Sequence, residues 1–132
     1  MKCSNCKDEM IILELNKIEL DYCVSCKGIW LDAGELELIL EDETVYVNLL
    51  NKFNKANNSE EEAKPCPICA GGMDKVVCLS KEGNEKDITI DQCKDGHGLW
   101  FDQGELKEII NNVDLDEENK IIKLMDDMFF LH

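Results

Sequence analysis

Four cysteines near the start of the chain, Cys3, Cys6, Cys23 and Cys26, form a C-x2-C…C-x2-C set. Two residues between cysteines let both sulfurs of a tight turn face one ion. Four thiolates then satisfy a tetrahedral Zn²⁺ at about 2.3 Å each. The pattern returns further along. Cys66 and Cys69 make a first pair and Cys93 supplies a third ligand, but Gly96 stands where Cys26 stood. His97, one residue later, is the fourth ligand by this reading, because an imidazole nitrogen lies farther from its Cα than a thiolate sulfur. Gly96 before it allows the positive φ that such a turn uses. The competing donor is Cys78, flanked by Val77 and Leu79 and without a partner at this spacing. We read Cys78 as a buried structural cysteine.

Four thiolates also suit a single iron. A set with one histidine suits it less, so zinc is the simpler reading for both sites. A closed four-donor site keeps no position for water, which makes each site structural rather than catalytic. The expectation is two Zn²⁺ per chain, one on Cys3, Cys6, Cys23 and Cys26, the other on Cys66, Cys69, Cys93 and His97.

The elements that must hold these ligands repeat as well. Cys23–Leu36 reads C-V-S-C-K-G-I-W-L-D-A-G-E-L and Cys93–Leu106 reads C-K-D-G-H-G-L-W-F-D-Q-G-E-L. Between the cysteine pairs of the first copy lie Met10 to Leu15 and then Ile18, Leu20 and Tyr22 alternating with Glu19 and Asp21, a hairpin signal around Asn16-Lys17. The second copy has strands at 73–79 and 87–92 around a longer 81–86 turn, an insertion that leaves the metal geometry alone. Asp32 and Asp102 read as helix N-caps, with Glu35 and Glu105 at the third helical position. Leu36, Ile39 and Leu40 then share a face, as do Leu106, Ile109 and Ile110. Helical spacing continues at Tyr46, Leu49, Leu50 and Phe53 and again at Ile121, Leu124, Met125, Met128 and Phe129. Met125, Met128, Phe129 and Phe130 suit either a partner-binding stripe or a lid on the core of the second copy. Trp30 and Trp100 are expected to pack over the metal turns and the first turn of each helix.

The fold class that follows is small, α+β and metal-bound: two tandem zinc ribbons, each knuckle–β-hairpin–knuckle, each followed by α-helices. Residues 1–56 form the first ribbon and its helices, 57–64 a polar linker, and 65–132 the second ribbon and its helices.

The bulk numbers agree with a small metal-stabilised chain. It has 132 residues, 8 of them cysteine, which leaves little apolar core per ribbon. No apolar run reaches the roughly 20 residues of a membrane span. Met1 is followed by Lys2 and Cys3 without the apolar stretch of a signal peptide. A reducing cytoplasm is therefore expected, where paired cysteines more often mean metal than disulfide. The net charge is -15, from 14 Lys and no Arg against 29 acidic residues. Such a chain repels phosphate backbones and lacks the bidentate reader of guanine and phosphate.

The frame C-x2-C, hairpin, C-x2-C-x-G-x-W-L-D-x-G-E-L resembles the prokaryotic zinc-ribbon family called transcription factor zinc-finger, or transcription-factor-IIB-type. The resemblance covers Cys3 to about Leu40 and again Pro65 to about Ile110, and the W-[LF]-D-x-G-E-L block is its most specific part. It implies a zinc ribbon and a following helix; it does not imply transcription. This chain departs from the pattern with Lys7 and Lys27 where glycine often follows a cysteine.

The leading functional expectation is a non-enzymatic protein-interaction adaptor, contacting transcription or translation machinery. A nucleic-acid-binding ribbon is one rival, and a redox- or zinc-responsive thiol switch is the other. The chain shows no open metal site, no nucleophile beside a base and no phosphate loop. The apolar helix faces also leave room for a homo-oligomer.

Overall fold

Ile18 and Leu20 are buried and Glu19 between them is exposed, so the alternation read from the sequence is a strand with one wet face. The structure, a computed structural model, describes residues 1–15, 17–41, 43–55, 63–78 and 88–111. In the first copy β1 (Ile11–Leu15) and β2 (Ile18–Tyr22) form an antiparallel hairpin, with Leu13 opposite Leu20. In the second copy β5 (Asp74–Cys78) and β6 (Ile88–Gln92) do the same, with Val76 opposite Ile90. The 81–86 turn, most of the 57–64 linker and the Ile121–Phe129 stripe lie outside the described residues.

Each copy has a third strand where the sequence suggested only the approach to a helix. β3 (Ile29–Asp32) follows the second metal turn of the first copy and β7 (Gly98–Phe101) that of the second. They pair with each other, antiparallel, with Ile29 opposite Phe101, Trp30 opposite Trp100 and Leu31 opposite Leu99. One seven-stranded sheet results, in the order β1-β2-β3-β7-β6-β5-β4. It runs through both the 1–56 and the 65–132 spans.

The two faces of the sheet have different cores. On one, Ile18, Leu20, Ile29, Leu31, Val76, Cys78, Ile88, Ile90 and Phe101 pack with the helices. α1 (Glu35–Leu40) supplies Leu36, Ile39 and Leu40; α3 (Glu105–Asn111) supplies Leu106, Ile109 and Ile110, as their spacing predicts. On the other face Trp30 and Trp100, both 0 % exposed, pack with Cys3, Met10, Cys23, Cys66, Met73 and Cys93. The tryptophans therefore pack against both sets of metal ligands, as expected of them.

Two helix expectations need correction. Phe53 is not the last residue of a helical stripe. α2 (Glu43–Leu50) stops at Leu50, and Phe53 opens the short strand β4 (Phe53–Lys55), paired opposite Cys78 of β5. Pairing with an open strand edge outweighs one more helical residue. Nor is Asp32 the N-cap of α1. That position is Gly34, at φ 90, with no side-chain cap. The Asp32 carboxylate instead accepts the Trp30 indole N–H at 2.8 Å, and Asp102 accepts that of Trp100 at 3.1 Å. The reciprocal half of the capping box survives: Glu35 Oε1 accepts the Asp32 backbone N–H, and Glu105 Oε1 that of Asp102, both at 2.7 Å. Gly104, at φ 84, repeats Gly34. Only glycine takes this left-handed backbone without a Cβ penalty, which accounts for the third letter of D-x-G-E.

Candidate metal centres

Each metal ligand sits on a turn closed by its own backbone. Cys3, Cys23 and Cys66 accept, through their carbonyls, the N–H of the residue four places on, Lys7, Lys27 and Ala70, at 3.1, 2.8 and 2.8 Å. That residue is left-handed in all three turns, with φ 65, 65 and 61. The lysines thus fill a backbone state that favours glycine, and each folds its ammonium back onto the turn. Lys7 Nζ donates to the Ser4 carbonyl at 3.4 Å and Lys27 Nζ to that of Val24 at 2.9 Å.

The fourth turn is built differently. The Cys93 carbonyl accepts from Gly96, three residues on, at 3.1 Å, and Gly96 is the left-handed residue, at φ 80. All four turns nevertheless end alike. Cys3, Cys23, Cys66 and Cys93 each donate their N–H to the carbonyl five residues later, on Asp8, Gly28, Gly71 and Gly98. Inside an unchanged span the tight bend comes one residue early, and His97 falls where Lys27 stands in the first copy.

The donors converge. The ligand atoms of Cys3, Cys6, Cys23 and Cys26 lie within 4.8 Å of one another, and so do those of Cys66, Cys69, Cys93 and His97. A tetrahedron with about 2.3 Å from ion to sulfur has edges of about 3.8 Å. Cys3 Sγ lies 3.6 Å from Cys26 Sγ, and Cys69 Sγ 3.7 Å from Cys93 Sγ. His97 Nδ1 is 3.2 Å from Cys93 Sγ. Cys78 is buried in the helix-side core and takes no part. The residues fit two zinc ions, one per set. Bound zinc here supplies folding energy, about 10–16 kcal/mol for structural sites at neutral pH.

Amide N–H groups prepare the sulfurs. Asn5 and Cys6 each donate to Cys3 Sγ at 3.3 Å, and Ile68 to Cys66 Sγ at 3.4 Å. Without an ion the thiols of each set divide. Burial, reinforced by neighbouring thiols, pushes Cys6 up to about 12 and Cys66 up to about 11. At Cys93 burial works the same way, but the N–H groups of His97 and Asp95 and the His97 ring outweigh it and hold the thiol down at about 6. Cys23 is held at about 7, burial being overcome by the N–H groups of Cys26 and Ser25. Cys23 and Cys93 are therefore the readier thiolates, and loading Cys6 and Cys66 releases protons.

Polar side chains that the sequence reading passed over tie the copies together beside these turns. Ser4 Oγ donates to the Pro65 carbonyl at 2.8 Å, and Asn5 Nδ2 to Asp102 Oδ1 at 2.7 Å. Ala33 N donates to the His97 carbonyl at 2.9 Å. Lys64, from the stretch read as linker, reaches Asp102 Oδ2 at 2.5 Å and Asp91 Oδ2 at 3.8 Å. Lys75 pairs with the buried Asp91 at 2.5 Å. Burial opposes ionisation of Asp102, but Lys64, Asn5 and Trp100 outweigh it and hold the carboxyl below its ordinary range. In the first copy Ile12 stands opposite Asp21 where Lys75 stands opposite Asp91. Burial, with Asp32 beside it, accordingly pushes Asp21 upward. Only the spacing of Lys75 and Asp91 within alternating strands could have signalled such a pair.

Residues 2–42 match the family model described as Transcription factor zinc-finger. The first unit is a zinc ribbon similar to that family. The match takes in its four cysteines, the hairpin, β3 and α1. The second ribbon has the same strand order and a complete donor set of its own. Comparison with curated proteins and with solved structures gives no match. Among the described residues no helix is long and apolar enough to cross a membrane.

Proposed function

We propose that this two-ribbon chain is a non-enzymatic protein-interaction module of the cytoplasm, an adaptor for transcription or translation machinery. The observation that carries the reading is the completeness of both donor sets. Four donors within 4.8 Å of one another leave no position for a substrate or an activated water. Zinc then serves to hold a surface, and a sheet shared by both ribbons makes that surface rigid. Leu38, Val47 and Leu50, exposed on α1 and α2, give it apolar footholds. A net charge of -15 without arginine argues for a protein partner over a phosphate backbone.

The test uses the zinc-loaded chain as bait in an extract of its host, with a chelator-stripped sample beside it. A protein retained by the loaded form alone, and rebound from purified components at near-physiological salt, is the expected result. DNA or RNA bound with a steep salt dependence would overturn the reading in favour of a nucleic-acid ribbon.

A further inference from the structure

Each donor set is finished by residues of the other ribbon. Asn5, in the first metal turn, donates its backbone N–H to Cys3 Sγ at 3.3 Å. Its side-chain Nδ2 donates both to Cys26 Sγ at 3.8 Å and to Asp102 Oδ1 at 2.7 Å. The same Asp102 oxygen accepts the Trp100 indole N–H at 3.1 Å. One asparagine thus touches two ligands of the first set and the carboxylate that orients a tryptophan of the second copy. That tryptophan meets the first copy again at its ring. A Cβ on Gly28 would overlap the ring, and the Gly28 carbonyl accepts the Cys23 N–H at 3.0 Å, closing the turn that carries Cys23 and Cys26.

The second set depends on the first copy in the same way. The His97 carbonyl accepts the Ala33 N–H at 2.9 Å, and the Gly98 carbonyl accepts that of Cys93 at 3.1 Å. Gly98 lies close under the Leu31 carbonyl and the Trp30 ring. Ser4 Oγ holds the Pro65 carbonyl, on the residue before Cys66, at 2.8 Å. Trp30 and Trp100 share one buried cluster with Cys3, Cys23, Cys66 and Cys93. A ribbon of this size has little other core to order its turns.

We propose that the two donor sets fill as a unit, and that Asn5 carries part of the coupling between them. Ligation supplies the folding energy of such a site. In a chain ligated at one set alone, part of that energy goes to ordering the turns of the other ribbon, on which the shared tryptophans must pack. Ligation at the second set then finds its turns already placed. The difference is a positive coupling, which between two sites of one protein is typically about 5–150-fold. The shared sheet is then present whole or not at all, with no half-assembled form between.

Native mass spectrometry of the full, reduced chain tests this. Metal-free protein is equilibrated with increasing zinc, and zinc-loaded protein with a competing chelator, until the two directions agree. At one equivalent, independent equal sites put half of the chains in the one-zinc form, and independent unequal sites put more there. The wild type is expected to keep that form to about a tenth of the chains, a coupling of about 80-fold. Asn5→Ala raises it at least about twofold. Ser25→Ala, which removes a hydrogen bond to Asp8 inside the first copy, leaves it unchanged. A one-zinc form that reaches half of the wild-type chains overturns the coupling. No response to Asn5→Ala, or an equal response to Ser25→Ala, overturns the role of Asn5. The wild-type distribution decides the matter even if Asn5→Ala fails to fold.

Discussion

His97 and Lys27 occupy the same place in their turns, four residues past the leading cysteine, and do different work. Lys27 is the left-handed residue that lets Cys26 before it point at the ion; His97 is itself the donor, and the left-handed residue has moved one place back to Gly96. The relocation was legible in the sequence because two residue types changed together, a glycine where a cysteine stood and a histidine after it. The fate of Asp32 was not legible. An aspartate before a helix reads as a cap, but here the indole N–H of a buried tryptophan takes its carboxylate. His97→Ala should leave one zinc per chain where the wild type holds two, measured by atomic emission on desalted protein. Cys78→Ala should keep both and lower stability by about 1 kcal/mol through the small void it leaves. Two zinc ions retained by His97→Ala would remove that residue from the donor set.

At the scale of elements the controlling feature is the seam between β3 and β7. Its strands have four residues each, and Ile29, Trp30 and Leu31 are all buried. A run buried on both faces carries no alternation, so neither strand announced itself. The partner lies some 70 residues away, beyond any local signal. The first hairpin was legible because it has a wet face and the second because polar Thr89 and Asp91 alternate with Ile88 and Ile90, though Asp91 is buried; β4 was missed because Phe53 continues the helical spacing of α2. Glycines set how closely the seam closes. A Cβ on Gly28 would overlap the Trp100 ring, and one on Gly98 would overlap the Leu31 carbonyl and lie 2.8 Å from Trp30 Cζ2. Gly104 has open space around it and only its φ of 84 to defend. Gly98→Ala should therefore cost about 3 kcal/mol, and Gly104→Ala only about 1 kcal/mol. Denaturant midpoints of the zinc-loaded variants check the order; equal losses would mean that the seam can loosen.

For the whole molecule the acidic balance has a measurable consequence. Glu35 and Glu105 are each pushed up to about 7, first by burial and then by Asp32 or Asp102 beside them. A carboxyl raised in the folded state gives stability that is full below its unfolded pKa, about 4.3, and is lost as pH rises through about 7. The Glu35→Gln, Glu105→Gln double variant still accepts the two aspartate N–H groups but does not ionise. Relative to the wild type it should gain stability between pH 6 and pH 8.5, a window chosen to spare the metal sites. A difference between the proteins that does not change with pH would show that neither carboxyl titrates there.

Gly28 and Trp100, with their counterparts Gly98 and Trp30, bear on how this chain can change its sequence. The room that Gly28 leaves is filled by the Trp100 ring of the other ribbon, and the room that Gly98 leaves by the Leu31 carbonyl first and the Trp30 ring second. Residue 28 therefore answers to the side chain at residue 100, whereas residue 98 is held small by the backbone of β3 whatever stands at residue 30. A larger side chain at 28 becomes tolerable only with a smaller one at 100, so the two halves must drift in step along this line. Elsewhere, as at Cys26 and His97, each half is at liberty to find its own solution.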